Sequence, residues 1–168
     1  MPANIPQRFL DAQAEFVQRV SGDWELVTAG TADAGCNTMT IGWGTAGVLW
    51  SRPTVTVFVH PWRYTHQFLL DNDYFTVQLF DNAHKRDLGI LGAKSGRDTN
   101  KVALTSLTPK ALEHGMTFEE ATTTLVCKKI YTHAIQLDQM PADIRAQLGD
   151  FYASDAHTVF VGQLVDVI

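Results

Sequence analysis

Two short polar segments carry side chains that could bind an anion. Arg63 and Thr65 stand two residues apart, just past the end of a strand-like run. The tripeptide Ser95-Gly96-Arg97, followed by Lys101, forms a second segment that is also locally basic. Guanidinium groups, hydroxyls, an ammonium group and the backbone N–H groups of turns are the donors that bind phosphate in proteins. Either segment alone is typical of an ordinary solvated loop.

The stretch that leads into Arg63 adds a second feature. Asn37–Trp43 alternates in polarity and Thr54–Val59 is β-branched and aromatic, so both predict strands. The glycines at 42, 44 and 47 predict a turn between them, where the backbone can approach a flat ligand. A flat aromatic cofactor with one phosphate needs both an uncharged strand surface and basic loops. The two features together therefore predict such a cofactor.

Hydrophobic periodicity predicts the other elements. Helices are expected at residues 8–20, at a short segment capped by Thr65, at His84–Ala93 and from Pro141 to Leu148. Further strands are expected at Trp24–Thr28, Tyr74–Phe80, Thr122–Leu137 and His157–Ile168, the last interrupted at Gly162, with loops at Ala29–Gly35 and Lys94–Lys101. About six strands and three or four helices that do not alternate βαβ predict a mainly β fold, an antiparallel sheet or β-barrel with peripheral helices. We expect residues 1–168 to form a single domain.

Composition excludes several classes of function. The net charge of −5 argues against nucleic acid as a partner. No apolar run is long enough to span a bilayer, and MPANIPQRFLD lacks the apolar core of a signal peptide, so a cytoplasmic protein is expected. Cys36 and Cys127 are far apart and belong to no CxxC pair, which favours free, buried thiols.

Other chemistries are weakly supported. His60 and His66 are the closest histidine pair, and no HExxH or CxxC accompanies them, so no metal site is predicted. There is no G-x-S-x-G to indicate a hydrolase. Gly42-Trp43-Gly44 lies inside an antiparallel pattern and opens no helix, which argues against a dinucleotide-binding fold.

A series of short strings, in order, carries a resemblance to a known family. They are NTMTIGW, HPWRYTHQFL, YFTVQLFD, KSGRD followed by Lys101, LVCKKIY and HTVFVGQLVDV. The ordered set, from Asn37 to Val167, resembles the flavin reductase-like family, close to its flavoredoxin branch. The family has the FMN-binding split β-barrel fold, and its members are usually homodimers with flavin near the subunit interface.

The resemblance implies a set of cofactor-binding residues. By it, the isoalloxazine edge would be lined by Asn37, Thr38, Met39 and Thr40. The R-x-T phosphate contacts would be Arg63 and Thr65, and the S-G-R-D…K loop of Ser95, Gly96, Arg97 and Lys101 would complete the anion site. His157 would approach the flavin from the start of the last strand. Ser51-Arg52-Pro53 departs from the double proline of many relatives.

The residues alone also allow structural roles for several of these side chains. Trp43, Trp50 and Trp62 are typical of packing in a core or interface, and Met39 could fill a barrel. Cys127 is expected to be inert and buried, and His157 could be a hydrogen-bonded residue at a strand end.

Three functions remain open from the sequence. The leading hypothesis is an NAD(P)H-dependent flavin reductase in which NADH or NADPH is the co-substrate of FMN; no side-chain acid is obligatory, so no catalytic residue is assigned. The second is a flavoredoxin-type electron carrier that holds FMN and exchanges electrons with a protein partner. The third is a reductase that passes reduced, dissociable flavin to an oxygenase.

Overall fold

The computed structural model of the chain describes residues 4–152 and 155–168. Within them the strands are β1 Glu25–Thr31, β2 Gly35–Ile41, β3 Gly44–Leu49, β4 Arg52–Val59, β5 Tyr74–Leu79, β6 Pro109–Leu112, β7 Gly115–Phe118, β8 Thr123–Ala134 and β9 Thr158–Val167. The α-helices are α1 Gln7–Arg19, α2 Tyr64–Asp71, α3 Lys85–Ala93 and α4 Ala142–Leu148. No helix in these two ranges is long and apolar enough to cross a bilayer.

Seven strands form one antiparallel sheet in the order β2-β1-β5-β8-β9-β4-β3, and β6 and β7 form a separate hairpin. The sheet curls until β2, at one edge, contacts β4 near the other. Helices α1, α2 and α3 pack against the sheet, α1 against β3 and α3 against β2. The predicted mainly β, antiparallel barrel with peripheral helices is therefore confirmed.

The core lies inside the curled sheet. Alternate residues of β1, β4, β5 and β9 meet there, because successive strand side chains point to opposite faces. The buried set includes Phe16, Val27, Val57, Phe75, Leu125 and Phe160. A second apolar cluster, which includes Leu26, Phe80, Leu88, Leu91, Leu107 and Phe118, lies outside the sheet and anchors α3.

The predicted glycine turn between residues 42 and 47 is wrong. Gly44–Leu49 is an edge strand, β3, which pairs with β4. Gly42, Gly44 and Gly47 have the spacing G-x-G-x-x-G, but they lead into a strand and not a helix. A side chain at Gly44 would lie 2.3 Å from the Phe16 ring, so this glycine lets α1 approach the sheet. The two runs predicted as a strand pair, β2 and β4, are thus not neighbours: β1, β5, β8 and β9 lie between them in the sheet.

The predicted loop at Ala29–Gly35 is also wrong at both ends. β1 continues to Thr31 and β2 already begins at Gly35. Gly30 and Gly35 have φ values of +98° and +89°, a backbone region that favours glycine, and they tighten the hairpin. Small residues here predict a loop, but in the fold they allow close backbone approach.

The last strand is continuous through Gly162, contrary to the predicted interruption. A Cβ at Gly162 would lie 2.6 Å from both Phe75 and Cys127, so this glycine makes room for a large core ring. The sequence also gave no prediction for the hairpin of β6 and β7. Thr65 does not cap α2: the N-cap position is Arg63, and its side chain makes no capping hydrogen bond.

Candidate functional site

The two predicted anion-binding segments lie together on one cavity of about 250 Å³, which we call the basic cavity. It is bounded by the start of β2, the N-terminus of α2 and the loop after α3. Its lining includes Asn37, Met39, Trp62, Arg63, Tyr64, Thr65, Ser95, Gly96, Arg97 and Lys101. The free N–H groups and positive dipole end of α2 at this cavity favour an anion.

Arg63 and Lys101 are held in place by backbone carbonyls of α3. Arg63 Nη2 donates to the Gly92 carbonyl over 2.8 Å. Lys101 Nζ, on a side chain that is only 4% exposed, donates to the carbonyls of Leu91 at 2.8 Å and Lys94 at 3.1 Å. Burial and, secondarily, the Arg63 charge lower the pKa of Lys101 to about 8. Burial also lowers the pKa of Arg63. An anion bound beside these cations would offset their desolvation.

Arg97 reaches back across the cavity to the segment before α2. Its Nη1 donates to the Trp62 carbonyl over 3.0 Å, and its guanidinium lies 4.9 Å from the centre of the Tyr64 ring. Among the residues that the structure describes, no salt bridge involves Arg63, Arg97 or Lys101. The three cations therefore share one cavity without a paired carboxylate.

Asn37 connects the strand to both halves of the basic cavity. Its Nδ2 donates to Thr65 Oγ1 over 2.7 Å, and Thr65 is only 1% exposed. On its other side, a Cβ at Gly96 would lie 2.2 Å from Asn37 Oδ1 and 3.0 Å from the Tyr64 ring. Glycine at 96 is thus required for the loop to lie against Asn37.

A larger cavity of about 440 Å³ adjoins the basic cavity, and we call it the aromatic cavity. The two share Met39, Trp62 and Arg63. The rest of the lining is Thr40, Ile41, Gly42, Trp43, Phe58, His60, Phe151 and His157. Such a surface suits a flat aromatic ring, with Arg63 at the boundary between an apolar and a cationic region.

His157 lies in the wall of the aromatic cavity, among other rings. Its Nδ1 is 2.9 Å from Tyr152 Oη, and its ring stacks on Phe151 at 5.6 Å between centroids. Burial and the neighbouring His60 lower the pKa of His157 to about 4, so the imidazole is neutral at pH 7. His60 Nε2 donates to the Asp155 carbonyl over 2.9 Å, because a carbonyl can only accept.

The structure separates the predicted site residues into groups. The basic cavity contains Asn37, Met39, Arg63, Thr65, Ser95, Gly96, Arg97 and Lys101, and the aromatic cavity contains Met39, Thr40, Arg63 and His157. Thr38 lines neither: its hydroxyl lies in a buried network with Thr28 and Gln78. The Thr40 hydroxyl donates to the Leu88 carbonyl, so it also anchors α3.

The expectations for tryptophans and cysteines have mixed outcomes. Trp43, Trp50 and Trp62 are all exposed rather than packed in the core. Both thiols are free, but Cys36 is exposed, because it lies on edge strand β2; only Cys127 is buried. In the part of the chain that is described, no three His, Cys, Asp or Glu side chains are grouped to hold a metal ion.

Sequence reasoning missed the aromatic wall. Phe58, Phe151 and Tyr152 were not singled out, and His60 was considered only as a metal ligand. The available signal was the aromatic pair Phe151-Tyr152 shortly before His157. Only the fold brings this pair to Trp43, whose ring centroid lies 5.3 Å from that of Phe151. The carbonyls of α3 that orient Arg63 and Lys101 leave no side-chain signal at all.

The chain is thus an antiparallel barrel with a basic cavity beside an aromatic one. The family model described as "Flavin reductase like domain" matches residues 17–168, and the chain belongs to that family. The predicted family and its split-barrel fold are thereby confirmed.

Several solved structures have the same fold. Flavoredoxin of Desulfovibrio vulgaris (Miyazaki F) is 25% identical, with 86% of this chain and 68% of that chain covered and a TM-score of 0.63. An FMN-binding protein from Thermus thermophilus is 22% identical, with coverages of 88% and 71% and a TM-score of 0.67. The styrene monooxygenase flavin reductase from Pseudomonas putida S12 is 18% identical, with coverages of 91% and 85% and a TM-score of 0.63. No curated protein sequence matches the chain significantly.

Proposed function

We propose that the chain binds FMN, with the phosphate in the basic cavity and the isoalloxazine ring in the aromatic cavity. The observation that carries this proposal is the shared boundary of the two cavities at Met39, Trp62 and Arg63. A ligand that spans it would place an anionic end against three cations and a flat end against aromatic rings. The Thermus thermophilus relative is itself an FMN-binding protein, which supports the choice of ligand.

The donor set fits a phosphate monoester. Arg63, Arg97 and Lys101 each keep N–H donors beyond those given to carbonyls, since guanidinium has five and ammonium three. The Ser95 hydroxyl and the first N–H groups of α2 add neutral donors. Gly96 leaves the loop without a Cβ where it meets Asn37. These residues together would bind the phosphate from several sides.

We further propose that the protein is an NAD(P)H-dependent flavin reductase. When bound, FMN would supply the redox chemistry by taking a hydride from NADH or NADPH. The chain's contribution would be to orient the two rings and to exclude water with Trp43, Trp62 and Phe151. The hydrogen bond from Tyr152 would fix the orientation of the neutral His157 ring in the cavity wall. The imidazole would then present an uncharged surface to the reactants.

A flavoredoxin-type carrier is the second candidate, favoured by the 25% identity to the Desulfovibrio flavoredoxin. A reductase that releases reduced flavin to an oxygenase is the third, favoured by the styrene monooxygenase relative.

The test is to reconstitute the protein with FMN and add NADH or NADPH without oxygen. We expect bleaching of the flavin absorbance at catalytic rates. Retained yellow flavin without nicotinamide oxidation would contradict the reductase and favour the carrier.

We also propose that residues 1–168 form a single domain that assembles as a homodimer in the cytoplasm. Exposed apolar side chains, among them Val48, Leu104 and Tyr131, offer surface for a second copy. Light scattering after size exclusion should give twice the chain mass of 18.6 kDa. A monomer at micromolar concentration would contradict the dimer.

A further inference from the structure

A third cavity opens beside Arg63 and shares Arg63 and Gly92 with the basic cavity. It measures about 280 Å³ and lies between Trp24 and the glycine-containing face of α3. We call it the Trp24 cavity. It shares Thr40, Ile41, Gly42 and Arg63 with the aromatic cavity, so the two form one groove over the end of β2. Sites for whole ligands run from roughly 300 to 1,000 Å³, so this one suits a single ring system at the end of a larger ligand.

Trp24 presents an aromatic surface to this cavity. Its side chain is 41% exposed, although it stands between α1 and β1, next to the fully buried Glu25. Its backbone has φ +65°, a conformation that tryptophan rarely adopts. The indole lies beside Gly42, where a Cβ would be 3.7 Å from the Trp24 ring. A strained residue that exposes a large apolar ring at a cavity is a candidate binding residue.

The opposite wall is small and the surrounding charge is positive. A Cβ at Gly89 would meet nothing within 4 Å, so the helix leaves space there, whereas Gly92 packs tightly against Thr40. Lys85 Nζ lies 5.8 Å from the centre of the Trp24 ring. Arg63 lines the cavity and Lys85 lies over the Trp24 ring, so two cations are close to this aromatic surface.

We propose that the Trp24 cavity binds the adenine ring of an adenine dinucleotide, stacked on the Trp24 indole. A purine supplies the flat surface, and the adjoining phosphates of a dinucleotide meet Lys85 and Arg63. Two ligands carry this group: the nicotinamide dinucleotide, as the proposed reductase requires, and FAD. Binding of the nicotinamide dinucleotide at this site rests on the proposed reductase function, whereas the adenine site itself does not.

The test compares Trp24→Ala with Trp50→Ala. Trp50 is a matched control, because it is also exposed and has φ +50°, but it lines none of the basic, aromatic and Trp24 cavities. ADP-ribose, which carries the adenine end without a redox group, is titrated into the FMN-loaded proteins by calorimetry. We expect Trp24→Ala to weaken binding about tenfold or more, the scale of one lost base–aromatic stack, and Trp50→Ala to leave it unchanged. Trp24→Phe should restore part of the affinity and controls for misfolding.

Kinetics and flavin titrations then distinguish the two sources. A raised KM for NADH or NADPH at unchanged kcat assigns the site to the nicotinamide dinucleotide. A selective loss of FAD affinity with FMN affinity unchanged assigns it to FAD. If nicotinamide is never oxidised but ADP-ribose binding depends on Trp24, the reductase fails and the adenine site stands. Wild-type protein that binds no ADP-ribose, or binding that Trp24→Ala leaves intact, overturns the proposal.

Discussion

Asn37 Nδ2 donates a hydrogen bond of 2.7 Å to Thr65 Oγ1, which joins the edge strand β2 to the first turn of α2 beneath the basic cavity. The other end of the same amide faces Gly96. One buried side chain thus fixes the distance between the two segments that carry the cations. The proposed phosphate site depends on this connection as much as on the charges themselves.

Arg63 should contribute strongly to FMN affinity. Arg63→Ala is expected to weaken FMN binding by about 1.5–3 kcal/mol, the scale for hydrogen bonds to charged groups. Flavin fluorescence quenching measures the affinity. Arg52→Ala is the matched control, because Arg52 also donates to a backbone carbonyl, that of Trp50, but lines neither cavity. Equal affinities for the two variants would remove Arg63 from the phosphate site.

Gly96 should tolerate no side chain. Gly96→Ala would push against Asn37 Oδ1, so we expect the loop to shift at a cost of about 1–3 kcal/mol in FMN binding, as for overpacked sites. Gly47→Ala serves as the control, since a Cβ there would meet nothing within 4 Å. Affinity is measured by quenching and stability by urea unfolding. Retained affinity in Gly96→Ala would contradict the assigned loop geometry.

Lys101 should make FMN affinity depend on alkaline pH. Its pKa of about 8 in the free protein means that it loses its proton as pH rises beyond that value. Phosphate binding favours the protonated amine, so FMN affinity should fall as pH rises from 8 toward 10. Lys101→Gln should bind more weakly at pH 7 and lose this dependence. The same slope in Lys101→Gln would assign the titration to another group.

The folded pKa of Lys101 lies below its unfolded value of about 10.4, so the fold disfavours the charged amine. Keeping this amine charged in the folded state lowers the stability by its full amount below pH 8. The loss is relieved as pH rises from about 8 to about 10.4. Lys101→Gln should therefore flatten the stability profile between pH 8 and 10. A wild-type profile that falls more steeply than that of the variant would contradict the assignment.

His157 should make the fold sensitive to acid. Its pKa is about 4 in the folded chain and about 6.5 when unfolded, so the unfolded state takes up the proton first as pH falls. This contribution to stability is present above pH 6.5 and is lost on the way to pH 4. Urea unfolding of wild type and His157→Gln across this range should show a smaller slope in the variant. Parallel profiles would exclude His157 as the titrating group.

The fold was predictable where periodicity is strong. Tyr74–Leu79 alternates and is β5, and Leu88 and Leu91 face inward from α3 as expected. Prediction failed where glycines act through space. Gly44 and Gly162 appear as turn or break signals, but they make room for Phe16 and Phe75, which are distant in sequence. Only the assembled packing reveals that role.

The site divides in the same way. The cations could be predicted, because Arg63, Arg97 and Lys101 stand in short polar strings that resemble the family. The aromatic cavity could not, because Trp43 lies between β2 and β3, whereas Phe151 and His157 lie between α4 and β9, far away in the sequence. Nor could the carbonyls of Leu91 and Gly92, since any sequence in α3 would supply them.

A crystal structure of the protein grown with excess FMN tests the central claim most directly. We predict phosphate density within hydrogen-bond distance of both Arg63 and Arg97, with the isoalloxazine ring between Met39 and the aromatic cavity wall. Density for the phosphate elsewhere, with the basic cavity filled only by water, would contradict it.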